Sequence, residues 1–575
     1  MDKKGIAQVL EQIGSLLELK GENPFRVRAY HTAARAIAAF PGDLEQGLTS
    51  GELAAVKGIG PATLELVEEV RATGRSRLLD NLKDEVPPGL AEMMKISGLG
   101  VTKIRQLWQS LHVESLAELE EAAKDGSLAK LPRFGKKTAE NILKGISFLR
   151  QVSAFRLFHN AREEAVALAQ VLASLPEVAR AEVVGSVRRR REVIRDLDFL
   201  VLLNGPAGAL FDQLGAAPGV SEFVHQTDAS ATLRFASGVV ADVFTATSDQ
   251  FGFQLARSTG SLSHVEALAA RATANGFEWT ETGLRKNGAT VPMPGEEDVY
   301  RALGLQFVPP ELREGRGEVE AAAKGKIPKL VEERDMQGFL HCHTEYSDGT
   351  ATVRDWAVAG REKGYRYVGI TDHSQAAAYA GGLAAADVSR QHAEIDAINR
   401  EFPDVRILKG VEADILADGS LDYTPEVRAT FDFIISSVHA RLGMDGKEMT
   451  DRVLKAIDNP DTAILGHPTG RLLLSRDPYP LDLDRIFERA AKKGVAIEIN
   501  ADPQRLDLDW TRVREAADAG VTISIGADAH NTAGMSNVEL GIGIARKGWL
   551  TRDQVLNARP LEGFLEHVAK RRARK

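Results

Sequence analysis

The chain has 575 residues, of which 43% are hydrophobic and 27% charged, and its formal net charge at pH 7 is −9. This balance excludes a disordered chain, and the length allows several domains. No apolar run approaches the roughly 18 residues of a membrane span. The one cysteine, Cys342, cannot form an intramolecular disulfide, so we expect a cytoplasmic protein.

The first 150 or so residues read as short helices separated by glycine and proline. Three weak repeats lie there, VKGIGPATLELV (56–67), ISGLGVTKIRQL (96–107) and LPRFGKKTAENI (131–142). In each, a tight turn precedes a helix, whose N-terminal amides favour phosphate. This helix-hairpin-helix pattern predicts contacts with the DNA backbone that are independent of base sequence. The turn residues are Gly58, Gly60, Gly98, Gly100, Phe134 and Gly135.

Short β-rich runs begin at about Glu182 and indicate a mixed α/β domain. Asp196 and Asp198 are two residues apart in such a run, so both carboxylates project from one face, and Asp242 on a later run is the natural third. Adjacent carboxylates repel unless a divalent cation neutralises them, and oxygen ligands suit Mg²⁺ or Mn²⁺. Gly185 and Ser186, with Arg189, are predicted to cradle a triphosphate.

Residues 296–320 have the charged, proline- and glycine-containing composition of a domain boundary. From about Asp335, seven strand-like runs alternate with helical ones, which predicts a barrel of parallel strands with its active site at the strand C-termini. Histidines and carboxylates follow these runs. Imidazole with carboxylate suits Zn²⁺, Mn²⁺ or Fe²⁺. The nine candidate ligands are His341, His343, Asp348, His373, Glu412, His439, His467, Asp528 and His530.

His341 and His343 are predicted to share one face of a strand, with Cys342 on the other face as a core residue.

In the helical region, Arg26, Arg28 and Arg35 together with Tyr30 form a mix of cations and an aromatic ring that suits DNA.

Residues 1–315 resemble the family X DNA polymerases, the group that includes polymerase beta. The resemblance rests on the glycine hairpins, on GlySerValArgArg, AspLeuAsp and AlaAspValPhe, and on Thr259-Gly260-Ser261. It implies that Asp196, Asp198 and Asp242 hold the metals, with Asp242 as general base. It also implies that Ser186 and Arg189 contact the triphosphate, and that Thr259 and Gly260 lie beside the nucleotide sugar.

Several positions depart from the family pattern. Arg195 replaces the glycine before Asp-x-Asp, Arg257-Ser258 replaces an aromatic pair, and Phe244 replaces an arginine. Ala62 and Leu66 stand where lyase-competent members carry lysines, so the sequence does not support the 5′-deoxyribose-phosphate lyase activity there.

Residues 335–572 resemble the PHP phosphoesterase family, and all nine positions of its ligand pattern are filled. By that resemblance, His341, His343, Glu412 and Asp528 hold one metal, and Glu412, His439 and His467 hold a second. Asp348, His373 and His530 hold a third. The resemblance implies 3′–5′ exonuclease, apurinic-site endonuclease and 3′-phosphatase activities, with up to three Zn²⁺ or Mn²⁺ ions.

The sequence therefore predicts a multidomain protein: an all-α helix-hairpin-helix region, an α+β nucleotidyltransferase palm and a C-terminal α/β barrel of the PHP type. The predicted domains are 1–82 (helical, DNA-binding), 83–152 (fingers-like), 153–248 (palm), 249–315 (thumb-like), 316–334 (linker) and 335–575 (PHP).

The predicted function is gap filling in DNA repair, including base excision repair, with 3′-end processing. We expect a nucleoid-associated monomer that binds gapped or primer-template DNA and deoxynucleoside triphosphates, and no membrane. Two alternatives stay open: a phosphoesterase with an impaired polymerase site, and a scaffold that binds DNA ends.

Overall fold

The computed structural model describes residues 3–40, 44–96, 98–152, 154–205, 207–217 and 219–573. The chain divides into two compact units, the first ending at Ala154 and the second beginning at Phe155. None of the helices in these ranges combines the length and the hydropathy that a membrane span needs.

The first unit is helical in all its described regular elements apart from a 3₁₀ turn at Leu128–Lys130. Glycine or proline separates most of the helices, as the sequence predicts, and their apolar faces meet in one core that includes Leu10, Ile37, Val67 and Ile104. The helices are α1 (Lys3–Lys20), α2 (Pro24–Ala39), α3 (Leu44–Ser50), α4 (Glu52–Ala55), α5 (Pro61–Thr73), α6 (Arg77–Glu85), α7 (Pro88–Met93), α8 (Val101–Leu111), α9 (Leu116–Lys124) and α10 (Lys136–Val152).

The second unit begins with a mixed sheet flanked by helices. Its elements are β1 (Arg156–Leu157), α11 (Phe158–Ala173), β2 (Val178–Val183), α12 (Gly185–Arg188), β3 (Val193–Ile194), β4 (Leu197–Leu203), α13 (Ala207–Gly215), β5 (Val220–Gln226), β6 (Ser230–Phe235) and β7 (Val240–Ala246). The main sheet has the order β2-β4-β7-β6-β5. β4 and β7 run parallel at its centre, and Leu197 and Phe199 are buried while Asp198 is half-buried between them. Asp198 therefore lies on the strand between two buried neighbours, whereas Asp196 precedes the strand.

A smaller helical domain follows, with a three-stranded sheet at its side. Its elements are α14 (Phe251–Thr259), α15 (Leu262–Ala274), β8 (Glu278–Trp279), β9 (Leu284–Lys286), β10 (Ala289–Thr290), α16 (Glu296–Ala302) and α17 (Glu318–Ala323). Residues 316–334, predicted as a linker, pack against this domain in the structure. The stretch contains α17, and Val319, Ile327 and Leu330 pack into the core of this domain. These apolar residues stand among many charged ones, so the composition of the stretch did not indicate that it packs into a core.

The C-terminal domain is a closed barrel of seven parallel strands, one for each of the seven predicted runs. Strands covered by helices on the outside are buried on both faces, so they read as nearly continuous apolar runs. The strands are β11 (Gly338–Cys342), β12 (Tyr367–Ile370), β13 (Arg406–Asp414), β14 (Phe433–Ser437), β15 (Ile464–Leu465), β16 (Ala496–Asn500) and β17 (Ile523–Ala529).

The helices of the barrel domain lie between and after these strands. They are α18 (Val353–Glu362), α19 (Ala385–Glu401), α20 (Pro425–Arg428), α21 (Gly446–Asp458), α22 (Leu483–Lys493), α23 (Trp510–Asp518), α24 (Val538–Lys547) and α25 (Leu561–Ala573).

Candidate functional site

The three glycine turns of the first unit share one backbone course. In each, the amide of the middle residue donates to the carbonyl three residues earlier, at 3.0–3.2 Å: Ile59 to Val56, Leu99 to Ile96, and Phe134 to Leu131. The preceding residue has a left-handed φ in all three, at Gly58 (102°), Gly98 (80°) and Arg133 (72°). The Phe134 side chain is buried, so this predicted DNA contact is limited to its backbone.

The second glycine of each turn has a different role. Gly60, Gly100 and Gly135 have no left-handed φ, and a Cβ added to any of them would meet nothing within 4 Å. The fold of the unit itself therefore does not require glycine at these positions. Helices α5, α8 and α10 begin directly after them, so the missing side chain leaves room for a second molecule at three helix N-termini.

The aromatic residue predicted to assist DNA contact is not available for it. Tyr30 is buried in the helical core. Phe25, on the first turn of α2, is instead 76% exposed, and the Arg28 guanidinium carbon lies 4.8 Å from the centre of its ring. The spacing of residues in this helical segment does not by itself indicate whether Tyr30 or Phe25 faces the core.

The predicted polymerase carboxylates meet on adjacent strands. Asp198 on β4 and Asp242 on β7 are direct register partners, and Asp196 precedes β4. Burial, reinforced by Asp196 and Asp242, raises the pKa of Asp198 to about 7 despite the opposing effect of Arg189. Burial also raises the pKa of Asp242, although Thr232 donates a 2.5 Å hydrogen bond to it. Carboxylates that repel in this way fit divalent cations in place of protons.

Gly185 fits against one of these carboxylates. Its φ is +58°, and a Cβ on it would lie 1.8 Å from Asp198 Oδ2, so only glycine allows this approach. The backbone amide of the next residue, Ser186, hydrogen-bonds the Asp198 carboxylate. In the described part of the chain, the buried Ser186 hydroxyl has no hydrogen-bond partner. Its hydrogen-bonding capacity is therefore unused among the described residues.

Arg189 and Thr259, both predicted to bind nucleotide, are in direct contact. Arg189 Nη1 donates to the Thr259 carbonyl at 2.7 Å, and Arg189 Nε donates to Glu314 at 3.2 Å. The Thr259 side chain is fully buried and accepts from Arg188 at 2.6 Å. Gly260 follows at the end of α14. Arg188 also forms a bidentate ion pair with Glu296, in which Nη1 and Nη2 donate to the two carboxylate oxygens at 2.7 and 2.8 Å. The sequence did not predict this pair.

The residues that depart from the family pattern differ in how far they are buried. Arg195 is exposed, so its side chain does not fill the turn before Asp196. Phe244 packs against the cluster that contains Leu200 and Leu255. In the first hairpin, Ala62 is exposed and Leu66 is buried, and neither supplies an amine.

In the barrel, the nine predicted ligands come together at the C-terminal ends of the strands and in the loops that follow them. Three overlapping groups have ligand atoms within 4.8 Å of one another: His343 with Asp348, His373 and His530; His341 with His343 and Asp528; and His373 with Glu412 and His439. His467 joins through Nε2, which lies 2.8 Å from Glu412 Oε1. Glu412 is therefore at the centre of the cluster, as expected of a bridging carboxylate, while His343 and His373 each belong to two groups.

Local backbone strain accompanies this cluster. His341, His467 and Asp528 have left-handed φ values of 62°, 22° and 50°. The register of β11 against both neighbours shifts around His341. Such irregularities re-aim side chains and are tolerated where the surrounding structure enforces them. The two histidines thus meet through an irregular strand end rather than through simple alternation. Cys342 is buried in the core, as predicted.

A second set of polar residues orients the ligands. His341 Nδ1 lies 2.6 Å from Glu498, and His439 Nδ1 lies 2.5 Å from Asp414. Asn500 donates to Asp528 at 3.0 Å. None of these three partners is among the residues predicted from the sequence. A signal was present, because Asp414 follows Glu412 by two residues, and Asn500 follows Glu498 by two, at strand C-termini.

The electrostatics of the cluster fit cations. Burial alone would raise the pKa of Glu412, but His439, His341 and His373 hold it well below its ordinary value. Burial alone would lower the pKa of His439, yet Glu412 and Asp414 raise it to about 10. Among the described residues, buried atoms such as His341 Nε2, His343 Nδ1 and Glu412 Oε2 have no hydrogen-bond partner. Imidazole and carboxylate atoms converging in this way suit Zn²⁺ or Mn²⁺.

Comparisons with known families match four parts of the chain. Residues 1–76 match the helix-hairpin-helix domain, and residues 90–147 match the SAM-like helix-hairpin-helix tandem. Residues 254–314 match the DNA polymerase beta thumb, and residues 340–502 match the PHP domain.

Similar proteins extend this result to the whole chain. The DNA polymerase/3′-5′ exonuclease PolX of Bacillus subtilis is 36% identical over 574 residues, covering 98% of this chain and 100% of that protein. A probable phosphatase of Shewanella sp. (strain MR-4) is 26% identical over 40% of this chain and 90% of its own length. One of Thermoanaerobacter sp. (strain X514) is 28% identical over 38% and 88%. The chain therefore belongs to the family X DNA polymerases, in the group that joins a polymerase beta-like core to a C-terminal PHP domain.

Proposed function

We propose that this protein is a DNA-directed DNA polymerase that fills gaps during repair, and that its PHP domain trims DNA 3′ ends. The related Bacillus subtilis protein bears the name DNA polymerase/3′-5′ exonuclease, and the similarity covers nearly the whole chain. The substrates are gapped or primer-template DNA and deoxynucleoside triphosphates, so the protein acts in the cytoplasm at the nucleoid.

In the palm, Asp196, Asp198 and Asp242 would hold Mg²⁺ or Mn²⁺, which supplies charge neutralisation for the primer 3′-oxygen and the triphosphate. Asp242 would accept the proton of the primer hydroxyl, and burial raises its pKa, which favours proton uptake. The unpaired Ser186 hydroxyl and the Arg189 guanidinium bind triphosphate oxygens. Gly185 keeps this turn in contact with Asp198.

In the barrel, the nine clustered ligands would hold up to three Zn²⁺ or Mn²⁺ ions, which activate water and stabilise charge on the phosphate. Glu498 and Asp414 fix the orientation of His341 and His439 by accepting from their Nδ1 atoms. The same chemistry would serve apurinic-site cleavage and removal of a 3′ phosphate, because each reaction is attack by water at phosphorus.

The helical region would hold the DNA. Its three open helix N-termini, after Gly60, Gly100 and Gly135, offer backbone amides to phosphates without reading bases. This accounts for DNA binding by a chain with a net charge of −9, because helix amides contribute no formal charge.

The observation that carries the proposal is the register pairing of Asp198 with Asp242, with Gly185 held against Asp198. The test is extension of a primer across a one-nucleotide gap with Mg²⁺ or Mn²⁺. We expect template-directed addition of one nucleotide. Absence of extension together with intact 3′-end degradation would favour the phosphoesterase alternative, and absence of both with DNA binding retained would favour a scaffold.

A further inference from the structure

Residues Arg188 to Arg191, the four-arginine run next to the polymerase carboxylates, connect three domains. Arg188 pairs with Glu296 of the thumb-like domain. Arg190 donates to Glu539 of the PHP domain at 3.1 Å, and Arg191 lies 5.7 Å from the ring centre of Trp510 in the same domain. These arginines follow closely after Gly185 and Ser186, so their contacts with the neighbouring domains hold that turn in place. Fixing such long side chains costs rotamer entropy, which the ion pairs and ring contacts must offset.

Lys547, the last residue of α24 in the PHP domain, reaches the same turn. Its side chain is fully buried, and its ammonium donates to the Arg189 carbonyl at 2.9 Å and to Glu314 at 2.7 Å. The ammonium also lies 4.6 Å from the ring centre of Trp510. A buried ammonium is costly unless it is paired and hydrogen-bonded, and here both conditions are met.

Glu314 accepts from Lys547 and Arg189 through the same oxygen, Oε1. One carboxylate thus shares its charge between a PHP-domain lysine and the arginine predicted to bind triphosphate. Arg191 also pairs with Glu314, at 3.7 Å between Nη1 and Oε2. Without the lysine, Glu314 would have only these two arginines as partners and would hold the Arg189 guanidinium more strongly away from a phosphate.

We propose that Lys547 is a positioning residue of the polymerase nucleotide site, so that the PHP domain supplies part of the triphosphate-binding geometry. This inference rests on the proposed role of Arg189. It assigns Lys547 no contact with the nucleotide: it acts on the backbone of Arg189 directly and on its side chain through Glu314.

The test is gap filling by the full-length Lys547→Met variant, which keeps side-chain length but removes the charge. We expect the KM for the incoming nucleotide to rise roughly five- to tenfold, as for partial loss of a charge-assisted hydrogen bond, with kcat changed less than about twofold. Exonuclease activity should stay unchanged, because Lys547 is not among the clustered barrel ligands.

The neighbouring Arg546 provides the matched control. It lies on the same helix and spans the same interface, but it pairs with Glu311 and the Val331 carbonyl rather than with Arg189 or Glu314. Arg546→Met should therefore leave the KM within about twofold of the wild-type value. An equal rise in both variants would overturn the proposal, because it would reveal general loosening of the interface.

Two further measurements keep the result interpretable. Arg189→Gln should raise the nucleotide KM; if it does not, the role of Arg189 is wrong and the proposal fails with it. If Arg189→Gln raises the KM but Lys547→Met does not, only the proposal fails. Should Lys547→Met not fold, Lys547→Gln, which also removes the positive charge next to Glu314, replaces it and must raise the KM without loss of exonuclease activity.

The pH profile gives a separate readout. Burial lowers the pKa of Lys547 to about 8. The Glu314 carboxylate opposes this shift, whereas the positive charges of Arg191 and Arg189 add to it. The wild-type nucleotide KM should rise as pH increases through 8, and that of Lys547→Met should not show this rise. Parallel profiles would contradict the proposal.

A second, independent observation concerns the mouth of the metal cluster. Tyr379 lies on a 3₁₀ turn at Ala378–Ala380 and is 73% exposed. Its ring centre lies 6.2 Å from that of His373 and 6.4 Å from that of His439. The turn is held in place, because the Leu383 amide donates to the His373 carbonyl at 2.9 Å. An aromatic face is thus presented to solvent beside two candidate ligands.

We propose that the Tyr379 ring stacks on the base of the 3′-terminal nucleotide while its phosphodiester lies at the cluster, which also rests on the proposed exonuclease function. Stacking accepts every base, because each has an aromatic face, and this suits degradation without sequence preference. A nucleotide whose phosphate meets His373 and His439 has its base within reach of this ring.

The test compares single-stranded DNA ending in an ordinary nucleotide with the same strand ending in a tetrahydrofuran abasic residue. Tyr379→Ala should lower kcat/KM on the first substrate roughly 5- to 100-fold, the range of one lost base–aromatic stack, and have little effect on the second. Tyr379→Phe should retain the wild-type rate. Equal losses on both substrates, or no loss on the first, would overturn the assignment. The metal content of each variant is measured as a control, to verify that the metal cluster is unchanged.

Discussion

Asp198 and Asp242 are direct register partners on the parallel strands β4 and β7, and Gly185 approaches so closely that a Cβ would lie 1.8 Å from Asp198 Oδ2. In the PHP barrel, Glu412 is the central carboxylate of a separate cluster whose ligands come from that domain alone. The two candidate centres share no residue, and this independence makes them separable by mutation.

Replacing Asp196 and Asp198 together by alanine should reduce nucleotide addition by about 100-fold or more, because the metal ligands are lost. Degradation of 3′ ends should continue at the wild-type rate. The reciprocal variant, His341→Ala with Glu412→Ala, should lose degradation and keep addition. Both activities are measured on the same gapped substrate, and loss of both from either variant would contradict two separate centres.

Gly185→Ala should abolish nucleotide addition while leaving the overall fold intact. The new methyl group would displace the Asp198 carboxylate, and φ of +58° disfavours any side chain there. Gly208→Ala is the control, since its Cβ would meet nothing within 4 Å in the first turn of α13. Steady-state gap filling and circular dichroism check the outcome. A fully active Gly185→Ala variant would show that the close approach is not needed.

Alanine at Gly60, Gly100 and Gly135 should weaken DNA binding by about tenfold or more, because methyl groups would block charge-assisted contacts with phosphates. Each replacement should cost at most about 1 kcal/mol of stability, the difference expected at a helix N-cap. Binding is measured by fluorescence anisotropy on several sequences and salt concentrations. Gln109→Ala, exposed near the C-terminal end of α8, is the control. A loss confined to one DNA sequence would argue against backbone contacts.

Glu498→Gln should weaken metal binding at the barrel cluster by about 10- to 100-fold, the usual effect of removing a carboxylate that orients a histidine ligand. Glu498 lies 2.6 Å from His341 Nδ1 and also accepts from the His467 amide at 2.7 Å. Titration of metal-stripped protein with Zn²⁺ or Mn²⁺, followed by calorimetry, measures the change. Unchanged affinity would mean that His341 orientation does not depend on Glu498.

Glu296→Gln should destabilise the second unit by about 3 kcal/mol at pH 7, because Arg188 and the buried Arg313 lose their counter-charge. Burial opposes ionisation of Glu296, but the two arginines lower its pKa from 4.5 to about 2. The stabilisation is therefore complete above pH 4.5 and is lost as pH falls from 4.5 to 2. Urea unfolding of both proteins at pH 7 and pH 3 measures this. A gap that stays constant across that window would exclude Glu296 as its source.

Local sequence patterns determined much of this protein. The three glycine turns, the seven barrel strands and the nine clustered ligands were all predicted, because turn residues and alternating or continuous apolar runs report backbone preferences over a few residues. Asp196 and Asp198 were predicted as a pair because a strand places residues two apart on one face, and Asp242 was predicted because it lies on a later strand-like run.

The tertiary structure alone decided which distant groups meet. Lys547 donates a hydrogen bond to Glu314 beside Arg189, although the two residues are separated by 233 positions in the chain, and nothing local to either residue predicts the other. For the same reason, the sequence did not predict the packing of residues 316–334 or the burial of Tyr30 rather than Phe25. Contacts between domains depend on the complementary shape and charge of whole surfaces, and those exist only once every element has found its neighbours.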